Sequence, residues 1–361
     1  MVKDYRPIEK TFQMTDTKIQ INNLYKIFGD DPEKAMELVN TGISKQELLE
    51  KHGHVLGLRD INISIKKQKI KVSMGLSGSG KSTLIRHINR LIEPTSGSVI
   101  VDGDNILDMS VEELRAFRRQ KASMVFQRFG LMPHRTVAQN VAYGLNIQGV
   151  DEDEAKTRSG RWIERVGLSG FEDHFPAQLS GGMQQRVGLA RALTTDAEIL
   201  LMDEAFSALD PLIRNDMQNI LLDLQTELHK TIVFITHDLD EALRIGDSIA
   251  ILRDGEVIQQ GDPQSIIMKP ADAYIEDFLK DINRGRVLRI QSIMEKTKGK
   301  GSSKIRFDTP IEDAIQHISK SSDGISNVVD GSGKVIGSVS LTAAIKALAR
   351  PETKVQNETY R

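Results

Sequence analysis

Gly75-Leu76-Ser77-Gly78-Ser79-Gly80-Lys81-Ser82 fits the spacing G-x-x-x-x-G-K-[ST], a pattern suited to holding a chain of phosphates. Its glycines let successive backbone N–H groups curl around an anion without Cβ clashes, and a following helix adds the partial positive charge of its N-terminus. Lys81 is placed to neutralise β- and γ-phosphate charge and Ser82 to ligate Mg2+, with Thr83 opening the helix behind them. A second set begins where the apolar run Ile199-Leu200-Leu201-Met202 ends in Asp203-Glu204. Acidic residues at the C-terminal end of a parallel strand point into the crevice where open α/β sheets bind ligands. Asp203 is suited to hold Mg2+, directly or through water, and Glu204 to act as general base on an attacking water. His237 follows another apolar strand, Thr231–Ile235. A strand-end histidine alone is more often structural, but beside the Asp203 strand it could reach the γ-phosphate or the water.

Ser180, Gly181 and Gly182 stand at the start of a further helix, in Leu179-Ser180-Gly181-Gly182-Met183-Gln184. A hydroxyl, free N–H groups and the helix dipole make a second anion site. One bound γ-phosphate needs no second sensor within one chain. The pattern therefore implies a head-to-tail dimer in which this loop closes over a nucleotide held by the other copy's Lys81 loop.

Elements that position these residues follow from periodicity. From about residue 70 to 260, short apolar runs alternate with amphipathic helices, the order of an α/β domain with a largely parallel sheet. The phosphate loop sits between a strand, 70–74, and a helix, 83–92. Lys71 and Ser73 sit awkwardly in that strand, since a buried parallel strand should read as nearly continuous apolar residues. Ahead of it come a polar leader, 1–19, a strand over 19–24, and a helical insert over 30–53 containing the capping-box pattern Ser44-Lys45-Gln46-Glu47. Alternation over 58–65 predicts another strand, and Asp262-Pro263 a helix start. Residues 283–307 are rich in Arg, Lys, Gly and Ser and read as a basic, flexible linker. A small module follows over 308–352: a capping box at Thr309-Pro310-Ile311-Glu312, a hairpin turning at Asp330–Gly333, and a helix through Leu348. A tail closes the chain at 353–361.

The 361 residues suit about two domains. Lys+Arg 48 against Asp+Glu 50 gives a net charge of −2, which argues against nucleic acid as the main ligand. The absence of cysteine excludes disulfides, thiolate metal sites and cysteine catalysis. The first ten residues show no apolar signal region and no stretch approaches about 18 unbroken apolar residues. The expectation is a soluble, cytoplasmic chain whose membrane role comes through partners.

In this order and spacing the motifs resemble those of the ATP-binding-cassette (ABC) ATPases. Gly75–Ser82 is similar to Walker A, Gln127 in Val125-Phe126-Gln127 to the Q-loop, and Ser180–Gln184 to the signature, with Met183 interrupting the family's Leu-Ser-Gly-Gly-Gln. Ile199–Asp203 with Glu204 resembles Walker B, Ser207-Ala208-Leu209-Asp210 the D-loop, and His237 the switch histidine. The resemblance implies an ABC-type P-loop NTPase domain over 20–282, α/β in class, with a mixed sheet core and a helical subdomain. It implies ATP and Mg2+ as ligands. Nucleotide would be held by Gly75, Ser77, Gly78, Ser79, Gly80, Lys81, Ser82 and Thr83, and across a homodimer by Ser180, Gly181, Gly182, Gln184 and Asp210. Ser82, Gln127 and Asp203 would hold the metal, and Glu204, His237 and Gln127 would carry the chemistry. Phe28 would stack on adenine, with Tyr25 as the alternative.

The insert, Leu131-Met132-Pro133-His134, and Glu204-Ala205-Phe206 in place of a proline after the glutamate resemble the quaternary-amine branch. That branch implies the ATPase subunit of a glycine betaine/proline importer on the cytoplasmic face of a bacterial inner membrane. The alternatives are another amino-acid-type importer or a soluble ABC ATPase. Its partners would be permease subunits docked near Gln127 and Phe129–Pro133, and indirectly a substrate-binding protein. The segment 284–306 could also meet an anionic membrane surface. The C-terminal part, about 284–352, is similar to a single α+β CBS module.

Overall fold

The computed structural model describes residues 16–127, 130–207, 209–296 and 301–349. The expected leader, up to residue 15, and the tail lie outside them, as do Phe129 and Ala208. The chain divides into two compact units, one of residues 16–237 with 250–257 and one of 238–249 with 258–349.

In the first unit, β1 (Thr17–Phe28) leads to α1 (Pro32–Asn40) and α2 (Lys45–His52), then returns along β2 (Val55–Lys66). The predicted strand is thus longer at both ends than 19–24. Two helices occupy the insert; Ser44 accepts only the Glu47 N–H, and the Glu47 carboxylate turns to Lys51 instead of completing a capping box. Next come β3 (Ile70–Met74), α3 (Lys81–Ile88), β4 (Ser96–Val101), β5 (Asp104–Asn105), α4 (Val111–Gln120) and β6 (Ala122–Val125). The helix predicted over 83–92 ends earlier because Arg90 takes a left-handed conformation, φ 52°, and its guanidinium binds the Ile106 and Met109 carbonyls. Helices α5 (Val137–Gln148), α6 (Glu152–Arg165) and α7 (Gly181–Thr194) follow. The unit is completed by β7 (Ile199–Asp203), α8 (Pro211–Leu228) and β8 (Thr231–Thr236).

Two sheets result. One is antiparallel in the order β2-β1-β4-β5. The other places β3, β8, β7 and β6 side by side with every pair parallel. After α9 (Leu239–Ile245), β9 (Ser248–Arg253) joins this sheet beside β3, and β10 (Glu256–Gly261) pairs with β9 as its edge strand. Between the sheets Ile21, Leu58, Ile63, Leu84, Ile88, Leu201 and Val233 form one apolar core. A separate core in α5–α7, built on Val141, Ile163, Leu168 and Val187, makes the helical subdomain. A third cluster of Ile27, Ala35, Val39, Leu48 and Leu56 seats the insert on β1 and β2.

Lys71 is buried, at 4% exposure, and opposite Val233 in the parallel ladder. Burial pushes its ammonium down to about 8. A lysine whose folded pKa falls below its unfolded value carries its full cost below pH 8, and that cost disappears as pH rises toward 10.5. Lys71→Met is therefore expected to raise stability at pH 7 by roughly 2–3 kcal/mol, and its advantage should shrink between pH 8 and 10.5. Urea unfolding of both proteins at pH 7 and pH 9.5 checks this; a variant less stable at pH 7 would show that the charge is compensated.

The second unit continues through α10 (Pro263–Met268), with the expected Asp262 N-cap, and α11 (Ala273–Phe278). Next come α12 (Arg284–Val287), β11 (Ser303–Arg306), α13 (Ile311–Ile318), β12 (Ile325–Val329), β13 (Val335–Ser340) and α14 (Leu341–Leu348). Here β11 pairs parallel with β12, and β12 antiparallel with β13.

The flexible-linker expectation for 283–307 does not hold for its described residues. Leu288 and Ile290 are fully buried, and Ser303–Arg306 is a sheet strand. Arg284 donates to the Ile267 and Ala347 carbonyls, Arg286 pairs with Glu312, and Arg306 with Asp308. Apolar residues spaced between the basic ones fold the stretch into the unit, and each of these arginines finds a partner within it. Lys298 and Lys300 lie outside the described residues. The same bonds, with Gln264 bridging the Val287 carbonyl and the Arg289 N–H, tie α10 to α12. The unit therefore begins earlier than the expected boundary at 282.

The expected capping box at Thr309 is absent too. Pro310 is the N-cap without a side-chain bond; the Leu288 carbonyl accepts the Ile311 N–H instead.

Candidate functional site

A cleft of about 540 Å3 opens at the C-terminal ends of β3, β7 and β8, within the range of ligand pockets. Its floor is the loop between β3 and α3, with Ser77, Gly78, Gly80, Lys81, Ser82 and Thr83 on the surface. Gly80 must be glycine: its φ is 100°, and a Cβ there would lie 2.8 Å from the Gly57 carbonyl oxygen. Gly75 and Ser79 stand behind the surface. The Ser79 hydroxyl is buried without a partner among the described residues, and the Lys81 Nζ donates to the Leu76 carbonyl at 2.9 Å.

Four polar side chains from separate elements meet above this loop. The Glu204 carboxylate accepts from Gln127 Nε2 at 3.0 Å and lies 3.4 Å from His237 Nδ1 and 3.7 Å from Lys81 Nζ. Glu204 takes a left-handed backbone, φ 46°, with its N–H held by the Ile235 carbonyl at 3.1 Å. A non-glycine residue there is strained, and the neighbouring strand fixes it. Burial pulls the Lys81 ammonium below the usual lysine range, while Glu204 and Asp203 pull it back up. One residue earlier, Asp203 is buried; its Oδ1 accepts from Ser82 Oγ at 2.7 Å and its Oδ2 meets Arg86 Nη2 at 3.3 Å.

The far wall comes from Phe28, Lys45, Val55, Leu56 and Gly57. The Phe28 ring is 39% exposed and lies so close to Gly57 that a Cβ there would be 2.7 Å from it. Tyr25 instead packs against the insert's apolar cluster, so Phe28 is the aromatic on the cleft.

The structure does not bring every anticipated residue to this cleft. Ser180, Gly181, Gly182, Gln184 and Asp210 are not among its lining residues. Ser180 caps α7 and accepts the Met183 N–H. Gln184 Nε2 donates to the Pro176 and Leu179 carbonyls, so its amide N–H groups shape its own loop. Met183 packs on the helical core, which gives the interruption of the signature a physical role. Asp210 caps α8 through the Leu212 and Ile213 N–H groups.

Sequence reasoning missed Lys45, Arg86 and Asn140. Buried Asn140 accepts the Met132 N–H and donates to the Met132, Arg135 and Thr136 carbonyls, clamping the loop after Gln127. Leu131 packs on the helical core, while Pro133 and His134 are exposed. An asparagine inside an amphipathic helix carries no local signal, because its partners are backbone groups of a loop.

Residues 58–207 match the ABC transporter family. Over 332 residues the chain is 49% identical to the glycine betaine transport ATP-binding protein OpuAA of Bacillus subtilis, covering 91% of this chain and 78% of that protein. It is 45% identical over 335 residues to the glycine betaine/proline betaine transport system ATP-binding protein ProV of Escherichia coli, covering 93% and 84%. Among solved structures it is similar to the dimeric structure of the bacterial ABC transporter cassette MJ0796, with a TM-score of 0.59 at 33% identity, covering 68% of this chain and 98% of that one.

Proposed function

The chain belongs to the ATP-binding subunits of ABC importers of the glycine betaine type, and from that premise we propose that two copies hydrolyse ATP to drive uptake of a quaternary amine through separate permease subunits. The observation that carries this reading is the convergence of Lys81, Gln127 and His237 on the Glu204 carboxylate, directly above the Ser82–Asp203 pair.

Each residue's role follows from its chemistry. The loop N–H groups of Ser77–Ser82 and the Lys81 ammonium hold the β- and γ-phosphates, and Phe28 carries the adenine ring. The hydroxyl of Ser82, the carboxylate of Asp203 and the side-chain carbonyl of Gln127 are hard oxygen donors that fit Mg2+. Bound there, the metal would screen phosphate charge and polarise the γ-phosphoryl group. Glu204 accepts the proton of the attacking water while Gln127 and Lys81 hold it in place, and His237 contacts the water or the γ-phosphate. Catalysis of this kind is mostly positioning and charge stabilisation.

Ser180, Gly181, Gly182 and Asp210 stand outside their own chain's cleft, which supports their completing the partner's. Closure then depends on the γ-phosphate that both chains contact, and its loss opens the dimer. No helix among the described residues is long and apolar enough to cross a membrane. The permease subunits would dock near Gln127 and the clamped loop 131–136 on the cytoplasmic face. The segment 284–349 reads as a single CBS-like module, supported by its parallel β11–β12 and antiparallel β12–β13 pairs flanked by α12, α13 and α14.

Proteoliposomes holding this subunit, its permease and its substrate-binding protein are expected to accumulate labelled glycine betaine only when ATP is supplied on the side of this subunit. Uptake without ATP would overturn the coupling role. ATP-driven uptake of an unmethylated amino acid alone would reassign the substrate.

A further inference from the structure

We infer that Lys45, carried into the cleft by the helical insert, is a nucleotide-binding residue at the base and ribose end of the site. The inference rests on the cleft being the ATP site proposed above.

Lys45 lines the same cleft as Phe28 and Val55 and is half-buried. Its ammonium makes no hydrogen bond or ion pair with any described residue. Its place is firmly set. Arg59 Nη2 donates to the Ile43 carbonyl at 2.9 Å and Arg59 Nη1 meets Glu256 at 3.2 Å, pinning the turn that leads into α2. Leu48, one turn further on, is fully buried in the cluster that joins the insert to β1 and β2.

The residue type is also locally unfavourable. Lys45 is the first residue of α2, where a cation opposes the helix dipole. A side chain that breaks a local rule without internal compensation points to an external partner. The neighbouring wall shows which partner. Phe28 and Val55 are 39% and 41% exposed, and together they offer an apolar platform for a flat ring. An ammonium with three donors beside it matches the ring-nitrogen and hydroxyl acceptors of a nucleoside. The phosphate end of the cleft already has its own cation in Lys81.

Isothermal titration of the full chain with ADP, and of the Glu204→Gln protein with ATP, tests this. Lys45→Ala is expected to weaken both nucleotides about tenfold, the size of a partly exposed charge-assisted hydrogen bond, with Lys45→Arg retaining most of the affinity. Binding of inorganic tripolyphosphate should not change. Unaltered ADP affinity in a folded Lys45→Ala protein would overturn the inference, as would an equal loss for tripolyphosphate, which would place the ammonium at the phosphates. Lys81→Ala serves as the control: if it binds ADP and tripolyphosphate normally, the reading of the cleft has failed rather than the assignment of Lys45.

Discussion

Glu204→Gln should cut steady-state ATP hydrolysis by about 10²–10⁴-fold, the usual worth of a positioned general base, while ATP still binds. The substitution keeps the side chain's size and its bond to Gln127 Nε2, because an amide oxygen accepts as a carboxylate does. What is lost is the ability to take the proton. The neighbours make the carboxylate hard to replace, since Lys81 and His237 face the same two oxygens and neither offers a second carboxylate. With hydrolysis blocked and Mg-ATP bound, the variant should accumulate as a closed dimer. Phosphate release and light scattering after size exclusion measure both effects together. Turnover within tenfold of the native protein would move the base to another group, and a monomer at saturating Mg-ATP would remove the dimer from the mechanism.

Ser180→Arg is expected to lower hydrolysis by at least about 10²-fold, the cost of losing one preorganised donor to transition-state charge, without changing ADP affinity. Ser180 sits at the N-terminus of α7, outside the cleft of its own chain, so its loss cannot act on nucleotide bound there. Mixing gives the decisive measurement. A dimer of one Ser180→Arg chain and one Lys81→Ala chain holds one site with both intact halves, so two inactive proteins should recover activity when combined. A loop acting within its own chain would leave the mixture inactive.

How much of this was legible beforehand depended on where each residue's partners lie. The loop at Gly75–Ser82, the strand-end pair Asp203-Glu204 and the Ser180 cap depend on backbone geometry within a few residues, and each forms where its spacing predicts. The basic stretch after Asn283 was misread because composition counts charges and cannot show that Leu288 and Ile290 are buried between them. The capping box at Thr309 failed for a related reason: a carbonyl from Leu288, distant in sequence, satisfied the helix end first.

The amino-acid order by itself determined the motifs and the P-loop α/β class, because those rest on residue type at short fixed spacings. Only the folded chain decided that Gln127 and His237 reach the same carboxylate, that Phe28 rather than Tyr25 faces the cleft, and that Lys45 stands beside it. Those juxtapositions join residues up to 110 positions apart, as between Gln127 and His237, and are set by which strands lie side by side and which apolar faces they bury. No local pattern carries that information.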